Sequence, residues 1–167
     1  MRTEINIRPA EPPDAPAIAQ ILHDSFVEFR PLYTDGGFAA TAPGTEQILS
    51  RMQEGPVWIA SSNRVPIGTV AAAVKGESVY IRGMAVLPSA RGSGAGAALL
   101  RHVEAWAAKS NCRSLLLSTT PFLASAIRLY QQAGFTRTDA GPHDLFGTPL
   151  FTMAKSISSH SPRENQQ

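Results

Sequence analysis

The sequence predicts a mixed α/β chain of the α+β kind: a mostly antiparallel central sheet containing one parallel strand pair, with helices packed against it. Three observations lead there. Val79–Val86 is an apolar, β-branched run, followed by the glycine loop Arg91-Gly92-Ser93-Gly94-Ala95-Gly96 and then by Ala97, Leu100, Val103, Glu104 and Ala107 at helical spacing. Upstream, Val57–Ala60 and Ile67–Val74 flank a turn at Ser61–Arg64, which is hairpin spacing. Downstream, Ser114–Ser118 is nearly continuously apolar, as a strand buried on both faces is. The helix between it and the central strand makes the two parallel.

The elements follow in order. Glu4–Arg8 alternates Ile5 and Ile7 with polar residues, a half-buried first strand. Asp14 is placed to cap a helix whose first turn tolerates Pro16, and Ile18, Ile21, Leu22, Phe26 and Phe29 carry its apolar face to about Phe29. His23 on this helix reads as a surface or partly packed residue. Arg30–Pro43 is rich in Gly, Pro and Thr and reads as irregular, with a short helix after it around Glu46–Met52. Gly76-Glu77 turns the chain into the central strand, and Pro88, with no N–H to give a ladder, ends it. Thr119-Thr120-Pro121 is a helix-start signal, with the helix running to about Gln132 and stopped by Gly134. Phe135–Arg137 opens a further strand, Asp139–Thr148 reads as a loop, and Pro149–Ala154 as a last strand. Residues 1–155 are expected to form one domain, and 156–167, without apolar periodicity, a disordered tail.

Composition narrows the function. With 15 Lys+Arg against 13 Asp+Glu the chain is only mildly basic, and no basic run or helix face stands out, so nucleic acid is not an expected partner. A single cysteine, Cys112, leaves no internal disulfide and no cysteine-rich metal site, and no metal is expected. The N-terminal MRTEINIRPA has no apolar signal region, and no stretch approaches the roughly 20 apolar residues of a membrane span. A soluble, cytoplasmic protein is the expectation.

Strand, glycine loop and helix make an anion cradle. Glycines let successive backbone N–H groups turn toward one point, and the free N–H groups of the helix's first turn add partial positive charge. The guest is a phosphate or pyrophosphate. Ala97-Ala98 stands where a Walker loop needs Lys-Ser or Lys-Thr, and Gly92, Gly94 and Gly96 alternate where a dinucleotide fingerprint spaces its last glycine by three. What remains is Arg-x-x-Gly-x-Gly preceded by Ala-Val-x-Pro. The run MAVLPSARGSGAGAALL, Met84 to Leu100, resembles the acetyl-CoA-binding motif of the GNAT N-acetyltransferase superfamily, and AIRLYQQAGF, Ala126 to Phe135, is similar to a second family motif at the expected distance.

The resemblance implies helices on both faces of a sheet whose parallel pair splays apart, with the pantetheine arm of acetyl-CoA in the gap. Backbone groups of Met84, Ala85 and Val86 would bond that arm and polarise the thioester, and the N–H groups of Arg91, Gly92, Ser93, Gly94, Ala95 and Gly96 would hold the pyrophosphate. Tyr130 matches the tyrosine that gives the departing sulfur a proton or a hydrogen bond; its other reading is a packing residue of an amphipathic helix. Phe29, Tyr33 and Phe38 either contact the acceptor or seal the core edge. The strand position where relatives carry a basic glutamate lies in Tyr80-Ile81-Arg82-Gly83, which holds no carboxylate, leaving Glu77, His143, Asp144 or a water as base. Leu123 stands where relatives place an asparagine on the pantetheine, with Thr119, Thr120 or Ser125 as substitutes. The implied activity is acetyl transfer to a primary amine by direct attack, with a small-molecule acceptor; a protein or peptide acceptor and a non-catalytic acyl-CoA sensor are the alternatives. A homodimer through an edge strand also fits.

Overall fold

A computed structural model describes residues 4–158. Its strands are β1 (Ile5–Pro9), β2 (Val57–Ser62), β3 (Val65–Lys75), β4 (Ser78–Val86), β5 (Ser114–Thr119), β6 (Thr136–Thr138), β7 (Asp144–Leu145), β8 (Thr148–Pro149) and β9 (Phe151–Ser156). The α-helices are α1 (Ala15–Phe26), α2 (Asp35–Thr41), α3 (Thr45–Glu54), α4 (Ala95–Lys109) and α5 (Ala124–Gln132). Seven strands form one sheet in the order β1-β2-β3-β4-β5-β9-β6, and β7-β8 form a separate hairpin. Of the sheet's neighbours only β4 and β5 are parallel; the rest are antiparallel. This is the predicted class. The β2–β3 turn is tighter than expected, with Asn63 and Arg64 both at positive φ (50° and 66°) between the strands, the two-residue loop whose twist suits a hairpin.

Alternation along the strands divides the interior into two cores. Trp58 and Ala60 of β2, Val70 and Ala72 of β3, and Val79 and Ile81 of β4 meet Leu99, Leu100, Val103 and Ala107 of α4 on one face. Val57, Ile59 and Ala71 meet Ile18, Ile21 and Leu22 of α1 and Ile48 of α3 on the other. Each fully buried aliphatic side chain of this kind contributes roughly 1.5–3 kcal/mol of transfer free energy, so neither helical layer can be dropped.

The central strand changes phase halfway. The register runs Ala71↔Arg82 and then Thr69↔Ala85, so Gly83 and Met84 together oppose Val70. This is a β-bulge, with Gly83 at φ 57° supplying a left-handed conformation that a side chain resists. Before it, Val79 and Ile81 face α4; after it, Met84 and Val86 do, and Ala85 turns toward α1.

Several local expectations need correcting. Asp14 does not cap α1 with its side chain. It closes a 3₁₀ turn at Pro12–Asp14, where its Oδ2 accepts from the Glu11 N–H at 2.8 Å and from Arg8 Nη1 at 2.8 Å. α1 stops at Phe26, and Val27–Leu32 continues as 3₁₀ because Pro31 cannot donate an α-helical bond. The stretch 30–43 is not irregular throughout: α2 forms there, with Thr34 as N-cap accepting from Gly37 N–H at 3.0 Å. Thr119 is spent on the sheet opposite Phe151, so α5 begins at Ala124, after a turn closed by Leu123 N–H to Thr120 O at 3.2 Å. The loop 139–148 contains the β7–β8 hairpin. Ser156, assigned to the tail, ends β9, while 159–167 lie outside the described residues. Among the described residues no helix is long and apolar enough to cross a membrane.

Candidate active site

β4 and β5 pair only from Ser78↔Ser114 to Ile81↔Leu117. Beyond Ile81, β4 continues to Val86, held on its other side by β3 as far as Gly68↔Val86. The β5-facing edge of Met84, Ala85 and Val86 therefore has no strand beside it, and the bulge at Gly83 sits where the two strands part. Backbone groups along an open edge of this kind demand partners, and an extended, amide-bearing ligand laid in the gap supplies them.

The glycine loop lies at the end of that edge. Within Arg91–Gly96, Arg91 N–H is used on Pro88 O (3.3 Å), Ser93 N–H on Ala90 O (3.2 Å) and Ala95 N–H on Ser93 Oγ (3.3 Å). The N–H groups of Gly92, Gly94 and Gly96 have no acceptor among the described residues, and they alternate along the loop. Gly92 and Gly94 sit at φ 82° and 89°, and a Cβ built on either meets nothing within 4 Å, so their requirement is the left-handed backbone together with an open approach. Gly94 is also the N-cap of α4 and offers no side-chain cap; with Ala95 N–H on Ser93 Oγ, the Gly96 and Ala97 N–H groups of the first turn are left for an anion. Gly96 is different. A Cβ there would stand 2.8 Å from Leu129 Cδ2 and 3.6 Å from Met84 Cε, so this glycine lets α4 and α5 pack. The Arg91 side chain turns away from the loop and bonds Ser25 O through Nη2 at 3.0 Å, with Glu28 as its ion-pair partner.

Tyr130 is placed by a helix stop. Gly134, at φ 100°, ends α5; Phe135 N–H reaches Tyr130 O at 2.9 Å and Gly134 N–H reaches Gln131 O at 3.0 Å. This is a Schellman motif with its accompanying apolar contact, the Phe135 ring 6.0 Å from that of Tyr130. The Tyr-x-x-x-Gly-Phe pattern is thus the spacing of a C-cap that fixes the tyrosine. Tyr130 is 8% exposed, and burial, helped by the nearby Tyr33, pushes its pKa up to about 12. A phenol this weakly acidic gives a hydrogen bond to a thiolate readily. Full transfer to a thiolate whose acid lies near 8.5 is uphill by about 5 kcal/mol.

On the opposite face from α4, Tyr33 packs edge-on against Phe122 (4.8 Å) and Phe38 (6.0 Å), and Phe29 lies 6.3 Å from Phe122. Burial raises the Tyr33 pKa, against the opposing effect of the Thr120 and Thr41 hydroxyls. The four aromatics line one side of the face that also carries the β7–β8 hairpin. Among the base candidates, Glu77 lies at the far end of β4: its carbonyl accepts from Arg113 N–H at 2.7 Å, about 25 Å along the strand from Ala85 at ~3.3 Å per residue. Asp144 spends Oδ2 on the Gly147 N–H at 2.9 Å within the hairpin, and the His143 carbonyl accepts from Leu150 N–H at 2.9 Å; both residues are exposed. Arg82, within the stretch Tyr80–Gly83 that holds no carboxylate, is ion-paired with Glu54 of α3, a residue that no sequence signal marks. Arg82 holds the Glu54 carboxyl below its usual range, which makes it a poor base. Leu123 is half-buried at the start of α5; Thr119 and Thr120 are buried at 5% and 2%, and Ser125 is exposed. His23 stands exposed with its ring centroid 6.2 Å from that of Phe38, and Cys112 is buried and free. Among the described residues no three His, Cys, Asp or Glu side chains are grouped as a metal site.

Comparison with known proteins bears on the family and the fold. Residues 16–135 match the model of the acetyltransferase (GNAT) family. An IAA acetyltransferase of Azospirillum brasilense is 34% identical over 87 residues, which is 52% of this chain and 56% of that protein; the match thus spans about half the length of the curated relative. The PaiA N-acetyltransferase of Thermoplasma acidophilum, solved in complex with coenzyme A, superposes with a TM-score of 0.78 at 16% identity, covering 92% of this chain and 99% of that one. The ribosomal-protein-S18-alanine N-acetyltransferase of Escherichia coli superposes with a TM-score of 0.75 at 21% identity, covering 96% and 98%.

Proposed function

The chain belongs to the acetyltransferase (GNAT) family, and from that premise we propose that it transfers the acetyl group of acetyl-CoA to a primary amine by direct attack. Acetyl-CoA brings the activated thioester and the thiolate leaving group. The observation that carries the reading is the continuity of the unpaired β4 edge, Met84–Val86, with the unused N–H groups of Gly92, Gly94 and Gly96. An amide arm and a pyrophosphate need those two features in that sequence.

The residues divide the work. Backbone N–H at Ala85 or Val86 faces the thioester carbonyl and holds the oxyanion as the amine adds. Tyr130 donates a hydrogen bond to the departing sulfur and keeps its own proton. No carboxylate of the described residues stands at the β4 bulge unpaired, so the amine's proton leaves through water. A small acceptor is favoured because the segments on either side of the acceptor face, Thr34 and the β7–β8 hairpin, are bonded together rather than parted as a groove.

Thermal unfolding with and without acetyl-CoA tests this first. At a hundredfold excess over Kd the ligand adds about 2.7 kcal/mol to stability, and Gly94→Glu abolishes that increment. A panel of amines assayed by CoA release then separates small-molecule from peptide acceptors. No ligand-induced shift in the wild type refutes the proposal.

A further inference from the structure

Among the described residues, the buried side-chain N and O atoms without a hydrogen-bond partner are Arg82 Nε, Ser118 Oγ, Thr120 Oγ1 and Thr152 Oγ1. Three of them are not scattered. Ser118 pairs across the sheet with Thr152, and it follows the last parallel pair Ile81↔Leu117, which sets it across the opening from Arg82. Leu115, Leu117, Phe151 and Met153 point into the α4 core, so strand alternation turns Ser118 and Thr152 to the opposite face, where Arg82 meets Glu54 of α3. Thr120 lies beyond the end of β5 with its hydroxyl toward that of Tyr33, and stands apart from the other three. Unpartnered buried polar atoms are rare in folded proteins, because each forfeits about 1–3 kcal/mol of solvation. Arg82 Nε, Ser118 Oγ and Thr152 Oγ1, together at one end of one face, mark a place where something else completes the hydrogen bonding.

The charge there is positive. Arg51 of α3 lies over Gly83: a Cβ on that glycine would stand 2.8 Å from Arg51 Nη1, so the bulge glycine makes room for the guanidinium. Arg51 donates through Nη2 to Ala40 O at 3.3 Å. Among the described residues the carboxylate that acts on Arg51 is Glu54, which is ion-paired with Arg82 and so offsets the Arg51 charge only in part; Lys75 stands farther along the same face over the Tyr80 ring at 4.7 Å. Burial weighs most against the charged form of Arg51, and repulsion from Arg82 adds to it. Two guanidinium groups against one carboxylate, bordered by two hydroxyl groups, are the donors that a planar anion pairs with.

We propose that the amine acceptor carries a carboxylate, seated between Arg51, the Arg82 Nε–H and the hydroxyls of Ser118 and Thr152, within reach of the acetyl group at the Ala85 edge. This inference rests on the acetyltransferase reading and names the substrate class. The anion neutralises the excess positive charge, and the nearby guanidinium groups favour the neutral form of the incoming amine, which is the form that attacks.

The test uses glycine, β-alanine and phenylalanine, each beside its carboxamide, with CoA release as readout. Wild-type enzyme favours the carboxylates in kcat/KM by about tenfold to a hundredfold, the worth of a charge-assisted hydrogen-bond pair. Arg51→Gln and the near-isosteric Thr152→Val each lower that ratio through KM, while stabilisation by acetyl-CoA shows that both variants are folded. Equal use of carboxylate and carboxamide overturns the proposal, as does a preference that survives both substitutions. It also falls if acetyl-CoA stabilises the protein but no amine of either set is acetylated. If acetyl-CoA gives no stabilisation, the acetyltransferase reading itself fails, and this inference with it.

Discussion

Thr34 and Thr148 are 114 residues apart in the chain, and their hydroxyl oxygens stand 3.0 Å apart. Thr34 N–H also donates to Thr148 Oγ1 at 2.9 Å, and Thr34 Oγ1 donates to Phe146 O at 2.7 Å while capping α2. One cap thereby ties the helix that follows the first aromatic wall to the late hairpin. Thr148→Val keeps the shape and removes the bonds. We expect a loss of about 1–3 kcal/mol in stability and a KM for the amine raised severalfold, with acetyl-CoA affinity within about twofold of wild type. Denaturant unfolding and steady-state kinetics measure both; an unchanged amine KM would detach the interlock from acceptor binding.

Tyr130→Phe removes one hydrogen bond to a developing thiolate and little packing. A fall in kcat of about tenfold to a hundredfold follows from the 1.5–3 kcal/mol typical of such a bond, with acetyl-CoA affinity largely kept. Because burial holds the Tyr130 pKa at about 12, its ionisation produces no falling limb near pH 10 in the wild-type kcat profile. A limb at pH 10 that disappears in the phenylalanine variant would contradict this environment.

The loop glycines separate by function. Gly94→Glu meets open space but must hold a left-handed φ of 89°, which costs about 1–2 kcal/mol, and its carboxylate repels the pyrophosphate. Its apo protein is slightly less stable, and acetyl-CoA no longer raises Tm. Gly96→Val instead collides with Leu129 and destabilises the apo protein by about 1–3 kcal/mol through overpacking. Differential scanning with and without ligand distinguishes the two; identical behaviour of the pair would argue against the division.

Asp14 answers to pH. Arg8 and the Glu11 N–H hold its carboxyl at about 2, below the unfolded value near 3.9. A depressed carboxyl pKa stabilises the fold at pH values above the unfolded pKa, and the contribution is lost as pH falls through the folded one. For a pair at the surface we expect about 1 kcal/mol at pH 7. Asp14→Asn lowers stability by that amount at neutral pH, and the gap to wild type closes between pH 4 and 2. A gap independent of pH would assign the effect to something other than the charge.

The fold class was legible because it is written in local patterns: hairpin spacing at 57–74, the apolar run 114–118, and the glycine loop that opens α4. What escaped was set by contacts distant in sequence. Gly36 and Gly37 read as helix breakers, yet α2 forms around them, because Gly37 is where Thr148 comes close and Thr34 supplies the cap. Thr119-Thr120-Pro121 has the chemistry of a helix start, but pairing with β9 claims Thr119 first. Arg51, Glu54 and Arg82 escaped for a similar reason: α3 and β4 meet only in the folded chain, and nothing in their spacing announces it. The glycine loop and Tyr130 stand out by their motifs, and each motif has a physical counterpart in the fold: unused N–H groups in one case and a helix cap in the other.

The bulge at Gly83 has an evolutionary consequence. It makes the division of labour between the two cores a matter of parity. Exchanging Met84, Ala85 or Val86 for similar apolar residues leaves each side chain on its own wall. Deleting a single residue there preserves composition and strand propensity almost unchanged, yet sends Ala85 to the α4 side and its neighbours to the α1 side. This segment can therefore drift in sequence while its length is frozen, and single-codon gaps, harmless in the surface turns, are the changes it cannot absorb.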